Sequence, residues 1–170
     1  PYATVPYNLM KESDSVKVAC TDNRLDVRIL GGLKQNNPAD VMRGEETQIR
    51  GFLSVFSNFD GIICLPGTHT KWVQVSAGEV ISFRTFMSGE IFALMSEYSV
   101  LKHSVNSDGW NYQEFNSAVS ESISNPQKLF SDFFKLRADD LLNKVEKSVL
   151  RSKLSGHIIG TELAGAKPYW

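Results

Sequence analysis

The spacing of the apolar residues changes near residue 87, and this change constrains the fold more than any other feature. Between residues 61 and 87 apolar residues form short runs separated by turn-forming residues, which is typical of strands. From residue 88 onward they recur every three or four positions, as on amphipathic helices. We therefore predict an α/β fold in which a small antiparallel sheet is followed by a helical segment.

Three strands are predicted within the strand-rich part. Residues 62–65 form a continuous apolar run, which is typical of a strand buried on both faces, so Cys64 is expected to be buried. Residues 72–75 and 80–86 follow, joined by a hairpin turn that contains Gly78. Three strands so closely spaced predict an antiparallel meander.

The segments on either side complete the expected order of elements. Residues 1–15 show no period and are interpreted as a connecting segment, followed by two half-buried strands at 16–20 and 25–29. A polar loop is predicted over 33–41 and a helix over 44–57. After Ser88, a predicted N-cap, helices are expected over 88–101, 111–124, 126–136, 139–150 and 152–165. Gly156, Gly160 and Ala164 recur every four residues in the last helix and predict close approach of another backbone.

Charge balance and small residue counts exclude several functional classes. The chain has 18 Lys and Arg residues against 19 Asp and Glu residues, so its charge gives no basis for binding nucleic acid or an anionic membrane. No apolar run approaches the roughly 20 residues that span a bilayer. Two cysteines without Cys-x-x-Cys spacing and three scattered histidines predict no metal site. No charged segment followed by an apolar run indicates a signal peptide in these residues, so we expect a cytoplasmic protein.

The turn between the first two strands of the meander carries groups suited to an anion. Residues 65–72 read Leu-Pro-Gly-Thr-His-Thr-Lys-Trp, so one glycine, two hydroxyls, an imidazole and an ammonium lie together. Backbone N–H groups can form an anion nest there, hydroxyls donate hydrogen bonds, and lysine adds charge. The alternative is a polar hairpin turn with a surface lysine, because the second glycine of a Walker A loop is absent.

Two further segments place charged groups at the end of a helix or strand. Residues 43–46, Arg-Gly-Glu-Glu, open the first predicted helix, where acidic residues usually only stabilise the helix dipole. Alternatively, one carboxylate is a general base and the arginine binds an anionic substrate. Arg84, beside Thr85 on the third strand, either binds a carboxylate or phosphate or covers the sheet edge with its aliphatic stem.

These motifs together resemble a known enzyme family. Residues 41–48 (Val-Met-Arg-Gly-Glu-Glu-Thr-Gln), 65–73, 83–85, 89–90 and 155–162 are similar, in this order, to segments of the 2-dehydro-3-deoxygalactonokinase family. The resemblance implies an α/β fold of the actin-like ATPase type, with two ribonuclease-H-like lobes and ATP in the cleft between them. It also implies phosphorylation of the 6-hydroxyl of 2-dehydro-3-deoxy-D-galactonate, with ATP and Mg2+.

The resemblance also assigns roles to the motif residues. In related sugar kinases a Gly-Asp-Gln run opens a helix and its Asp is the base, so Gly44-Glu45-Glu46 favours Glu45 and leaves Glu46 open. Gly67-Thr68 resembles the Gly-Thr turn of a second phosphate loop. The residues expected to bind phosphate or ATP are Gly67, Thr68, His69, Thr70 and Lys71, with Lys71 neutralising charge. The residues expected to bind the sugar acid are Arg43, Arg84 and Thr85.

Part of the family pattern has no match in the chain. A glycine-rich first phosphate loop and a late adenosine-binding segment are both missing from these residues. We therefore expect the middle of a kinase, with residues 1–40 ending the first lobe and residues 41–170 starting the second. Such a piece is expected to be inactive alone, with a sugar acid and ATP as partners of the whole enzyme and association between copies possible.

Two rival classes compete with the kinase interpretation. A non-catalytic α/β module would keep the fold and bind a ligand or partner without turnover. A ribonuclease-H-like nuclease is disfavoured because the predicted strands carry no cluster of metal-binding carboxylates.

Overall fold

The computed structural model describes residues 2–10 and 15–170, which form two compact units. Unit 1 comprises Pro1–Leu65, Lys71–Thr85 and Tyr169, and unit 2 comprises Pro66–Thr70, Phe86–Pro168 and Trp170. Residue 1 and residues 11–14 of the predicted connecting segment lie outside the described residues. The division into two kinase lobes at residue 40 stays a prediction.

Apart from helix α1, which lies between two groups of strands, the strands precede the helices along the chain, and this confirms the change of pattern near residue 87. The strands are β1 Tyr2–Thr4, β2 Val16–Lys17, β3 Arg28–Ile29, β4 Gly32–Asn36, β5 Ala39–Met42, β6 Gly61–Leu65, β7 Thr70–Ser76 and β8 Glu79–Phe86. The α-helices are α1 Glu45–Val55, α2 Ser88–Glu97, α3 Lys102–Val105, α4 Tyr112–Ser124, α5 Leu129–Asn143 and α6 Lys147–Gly165. Single 3-10 turns lie at Pro126–Lys128 and Lys167–Tyr169.

The predicted meander is confirmed as a three-stranded sheet with the order β6-β7-β8. Strand β6 runs antiparallel to β7, and the turn to β8 has positive φ at both Ala77 (50°) and Gly78 (75°), as a tight hairpin requires. The expected burial of β6 is wrong, because Cys64 is exposed. Strand β6 lies at the edge of this sheet and β7 at its centre, where Val73 and Val75 are fully buried.

A second three-stranded sheet replaces the loop predicted over 33–41. Strands β4 and β5 form an antiparallel hairpin, and β1 pairs in parallel with β4, so residues 2–4 are not a connection either. The prediction failed because one of the buried positions of β4 holds a polar residue, Gln35. Its amide donates to the Pro38 carbonyl at 2.9 Å and its carbonyl accepts the Phe83 N–H at 3.1 Å, so a buried residue looks like a loop residue.

Strands β2 and β3 lie within the two predicted strand segments and pair antiparallel, but they are exposed and not half-buried. Asp26 forms ion pairs with Lys17 at 3.3 Å and with Arg28 at 3.2 Å along this hairpin. Alternation of apolar and polar residues is a local signal, whereas burial requires another element to cover the apolar face.

The core of unit 1 packs α1 against the strands. The helix predicted over 44–57 is confirmed, and its residues Ile49 and Leu53 are buried. The other buried members of this cluster are Leu9, Leu33, Met42, Val73, Val75, Val80 and Phe83. Trp72 is also buried, as expected for a core residue.

Unit 2 is helical, with two corrections to the predicted boundaries. The break predicted between residues 136 and 139 is absent, because α5 continues to Asn143. The chain breaks instead at Lys144, which has a left-handed φ of 54°, and residues 147–150 of the predicted helix 139–150 begin α6. Ser88 is the first residue of α2 and not its N-cap, a position that Met87 occupies. His103 is exposed and lies in α3.

The small-residue stripe of α6 brings the backbone of α4 close, as predicted. A Cβ atom added at Gly156 would lie 2.7 Å from the Cβ of Ala118, and one added at Gly160 would lie 2.8 Å from the Cβ of Ser122. Only residues without a side chain fit at these two positions. Among the described residues, no helix is long and apolar enough to cross a membrane.

Candidate functional site

Two glutamates accept hydrogen bonds from backbone N–H groups at the N-terminus of α1 in unit 1. Gly44 precedes the helix with φ 108°, a left-handed value that favours glycine. The Glu45 carboxylate accepts the Arg43 N–H at 3.0 Å, and the Glu46 carboxylate accepts the Gly44 N–H at 2.6 Å. Both carboxylates thus satisfy backbone donors at the positive end of the helix dipole. Glu46 is buried, at 5% exposure, whereas Glu45 is half-buried.

A buried lysine on β7 links strands β5 and β8 through hydrogen bonds. Lys71 on β7 is 5% exposed, and its Nζ donates to the Val41 carbonyl at 3.1 Å and to Thr85 Oγ1 at 2.8 Å. Thr85 Oγ1 in turn donates to Asp40 Oδ1 at 2.6 Å, and Asp40 Oδ2 accepts the Thr85 N–H at 2.8 Å. We call Lys71, Thr85 and Asp40 the strand network.

The two arginines predicted to bind the sugar acid are exposed in unit 1. Arg43 follows directly after β5, and Arg84 lies next to Thr85 on β8. The Arg84 guanidinium lies 5.9 Å from the centre of the Tyr169 ring, at cation–π distance. Both arginines therefore flank the strand network along the chain.

The turn predicted to bind phosphate lies in unit 2 and is held by the start of α2. The Glu90 N–H donates to the Thr68 carbonyl at 3.0 Å, and His69 Nε2 lies 2.6 Å from Glu90 Oε2. A Cβ atom added at Gly89 would collide with the Gly67 carbonyl oxygen, so the turn packs against bare helix backbone. Gly67, Thr68 and His69 are exposed, whereas Thr70 is buried.

One residue of the strand network, Asp40, was not predicted from the sequence. It lies in the segment predicted to be a polar loop, where an aspartate carries no distinguishing signal. Its position directly before the Val41–Gln48 motif is the one sequence feature that could have drawn attention to it.

The family model of 2-keto-3-deoxy-galactonokinase matches residues 1–170 of the chain. The chain belongs to this family. The match extends from β1 through α6, so it covers the glutamates of α1, the turn at 66–70 and the strand network alike. The resemblance inferred from the motifs is thus confirmed.

Two curated relatives of the kinase family are similar over most of the chain. The Rhizobium meliloti (strain 1021) protein named "Probable 2-dehydro-3-deoxygalactonokinase DgoK1" is 39% identical over 87% of this chain and 50% of its own length. The 2-dehydro-3-deoxygalactonokinase of Escherichia coli (strain K12) is 28% identical over 99% of this chain and 56% of its own length. The chain spans about half the length of these curated relatives.

A solved structure shows that the fold of this chain is also similar to that of a kinase-family protein. A solved structure described as the "Crystal structure of a putative 2-dehydro-3-deoxygalactonokinase protein from Sinorhizobium meliloti" matches with a TM-score of 0.90 and 37% identity. It covers 97% of this chain and 56% of that protein. The α/β arrangement of mixed sheets and helices is therefore close to that of a kinase-family structure.

The sequence did not predict the side-chain contacts of a buried polar cluster in unit 2. His157 is 5% exposed, and its Nδ1 lies 2.9 Å from Ser122 Oγ and 3.9 Å from Asp132 Oδ2. Burial lowers the pKa of His157 below its ordinary value, while the charges of Asp132 and Glu121 act in the opposite direction. This cluster joins α4, α5 and α6.

The motif resemblance implies magnesium, and the metal-binding side chains that lie close together decide where that ion could be held. In the part of the chain that the structure describes, no group of three or more His, Cys, Asp or Glu side chains is close enough to hold a metal ion. The residues present therefore do not fit a cage of protein ligands, and none of the side chains described above is assigned to the ion.

Proposed function

We propose that the whole protein carrying this chain is a sugar-acid kinase that transfers the γ-phosphoryl group of ATP to the 6-hydroxyl of 2-dehydro-3-deoxy-D-galactonate. The family match over residues 1–170 carries this proposal, together with the names of both curated relatives. We further propose the actin-like arrangement of two lobes for the whole enzyme, with Mg2+ bound mainly through the phosphates of ATP.

The turn at 66–70 is proposed to hold the transferred phosphate. Its exposed residues Gly67 and Thr68 offer a backbone without a bulky side chain and one hydroxyl, while the start of α2 fixes the Thr68 carbonyl. His69 is tied to Glu90, so this imidazole is oriented and can donate towards an anion when it is protonated. Thr70 is buried and is proposed to support the turn from behind.

Glu45 is proposed as the base that accepts the proton of the attacking hydroxyl. A general base must come within hydrogen-bond reach of the proton it removes. Glu45 is half-buried, whereas Glu46 is 5% exposed and bonded at 2.6 Å to the Gly44 N–H. Glu46 is therefore proposed to fix the helix start, leaving the more accessible carboxylate for catalysis.

The two glutamates provide a matched pair of variants for testing this assignment. In the full-length enzyme, Glu45→Gln should lower kcat by about 10²- to 10⁴-fold, as expected on removal of a general base. Glu46→Gln should change kcat far less, because it keeps an amide oxygen that can accept from Gly44. A coupled assay of ADP release measures both. A loss below tenfold for Glu45→Gln would remove it from the role of base.

Arg43 and Arg84 are proposed to bind the carboxylate of the sugar acid, with Thr85 supporting Arg84 from the same strand. A guanidinium can grip a carboxylate through two parallel hydrogen bonds, which an ammonium cannot do. Arg84→Lys should therefore raise the KM for the sugar acid about tenfold or more while leaving the KM for ATP near that of the parent. Arg24→Lys, on the exposed hairpin, keeps its ion pair with Asp22 and serves as the control.

One assay separates the kinase from a non-catalytic module of the same fold. The full-length gene product, given ATP, Mg2+ and 2-dehydro-3-deoxy-D-galactonate, should release ADP and form the 6-phosphate. Absence of turnover with this substrate would contradict the proposal. The same assay tests the prediction that residues 1–170 alone are inactive, and light scattering tests the predicted association between copies.

A further inference from the structure

Lys71 differs from the other residues predicted to bind phosphate. It is 5% exposed, and two of its three donor positions are committed to Val41 and Thr85. A lysine that neutralises a transferring phosphate must direct its ammonium at the substrate. Lys71 instead directs it at the strands of its own unit.

The hydroxyl of Thr85 fixes the direction of the strand network. An ammonium can only donate, so Thr85 Oγ1 accepts from Lys71 and must use its own proton towards Asp40 Oδ1, 2.6 Å away. The buried ammonium and the carboxylate are thus joined through one hydroxyl. Each partner is held by a charge-assisted hydrogen bond, which is shorter and stronger than a neutral one.

The strand network holds the end of β5 through hydrogen bonds to both backbone groups of Val41. Lys71 donates to the Val41 carbonyl, and the Val41 N–H donates to Asp40 Oδ1 at 2.8 Å. Val41 is two residues before Arg43, and Thr85 is the neighbour of Arg84. The same three side chains therefore fix the strand ends that carry both arginines.

We propose that Lys71, Thr85 and Asp40 are positioning residues that hold Arg43 and Arg84 in place for the sugar acid, and that Lys71 does not bind the phosphates of ATP. This inference rests on the proposed kinase function and refines it. Because positioning acts on the arginines, loss of the network changes affinity for the sugar acid and leaves affinity for ATP unaltered.

The test uses a small set of variants of Thr85 and Lys71 in the full-length enzyme. Thr85→Val removes the hydroxyl at nearly constant shape and breaks the link between Lys71 and Asp40. Thr85→Ser returns the hydroxyl and serves as the rescue. Ser82→Ala, on the same strand but bonded to Gln74, is the control. Lys71→Met removes the ammonium and keeps the length of the side chain.

Steady-state kinetics separate positioning from phosphate binding. Thr85→Val and Lys71→Met should each raise the KM for the sugar acid at least fivefold and leave the KM for ATP within twofold. The double variant should be no worse than the more damaged single one, because both act on one network. Thr85→Ser should recover most of the loss. A raised KM for ATP in Lys71→Met, with Thr85→Val like the parent, would overturn the inference.

A second measurement does not depend on activity. Amide hydrogen exchange of the segment 41–47 should be faster in Thr85→Val and Lys71→Met, and near that of the parent in Thr85→Ser and Ser82→Ala. Unchanged exchange in both network variants would overturn the positioning role. If the parent enzyme has no turnover while exchange responds as stated, the proposed function fails and the grip of the network on β5 stands.

Discussion

Gly89→Ala tests the contact between the start of α2 and the turn at 66–70. A Cβ atom added at Gly89 would collide with the Gly67 carbonyl oxygen and lie 2.8 Å from the Thr68 Cα. Both neighbours are backbone atoms, so no side chain can rotate away to make room. Helix α2 is ten residues long, and its Ile91, Phe92 and Met95 pack against the hydrophobic core of unit 2, so we expect the turn to move and the helix to stay.

The size of this movement follows from the distances. Ordinary van der Waals contact begins at 3.4 Å, so the Thr68 Cα must retreat from 2.8 Å by about 0.6 Å. The hydrogen bond from the Glu90 N–H to the Thr68 carbonyl, now 3.0 Å, must lengthen or bend with it. Misplacing reacting groups by about 1 Å can cost about 100-fold in rate, so we expect kcat/KM for ATP to fall about 10- to 100-fold.

The assay is ADP release by the full-length enzyme at varied ATP, with Gly51→Ala as the matched control. Gly51 lies inside α1, and a Cβ atom added there meets nothing within 4 Å. The control removes a helix glycine in the same way but without a collision, so its kinetics should match the parent. If Gly89→Ala stays within threefold of the parent in kcat/KM for ATP, the turn does not hold the phosphate as proposed.

Three further predictions concern stability, each measured by thermal or denaturant unfolding of the purified protein. Gly156→Ala should lower the free energy of unfolding by about 1–2 kcal/mol, because overpacking against α4 outweighs the gain of about 1 kcal/mol in helix propensity; Gly51→Ala should raise it, and equal effects would contradict the close approach. Burial lowers the pKa of His157, so the unfolded state binds the extra proton more readily and stability should fall as the pH drops below about 6.5. His157→Gln should flatten this slope, and a slope like that of the parent would show that other groups cause it. Asn111 caps α4 by accepting the Glu114 N–H at 3.1 Å, so Asn111→Ala should cost about 1 kcal/mol, whereas no loss would mean that water replaces the cap.

The strands and helices with strong local patterns were predictable from the sequence. The meander, α1, α4 and the small-residue stripe of α6 follow from the spacing of apolar residues, and the glycine of the β7–β8 turn follows from backbone geometry. The β4–β5 hairpin was not predictable, because its buried Gln35 is satisfied by partners that include one far away in sequence. The exposure of Cys64 likewise depends on which strand lies at the sheet edge.

The sequence predicted which residues belong to the candidate site, but it did not predict their burial or their hydrogen-bond partners. The family resemblance named Glu45, Glu46 and the turn at 66–70, and the match of the family model over the whole chain confirmed the resemblance itself. The resemblance favoured Glu45 and left Glu46 open, because both glutamates lie at the helix start. Their different burial separates them, since it depends on what packs against α1.

The sequence by itself determined the family, the change from a strand-rich to a helical part and the residue types available for chemistry, because these follow from local spacing and from motifs read along the chain. The tertiary structure decided which of those residues face inward and which groups they bond. Lys71 shows the difference most clearly: in the motif it is a cation beside a glycine turn, and in the fold it is a buried ammonium bonded to Val41 and Thr85. The physical reason is that a buried donor must find its acceptors, and for Lys71 they lie on strands 14 and 30 residues away.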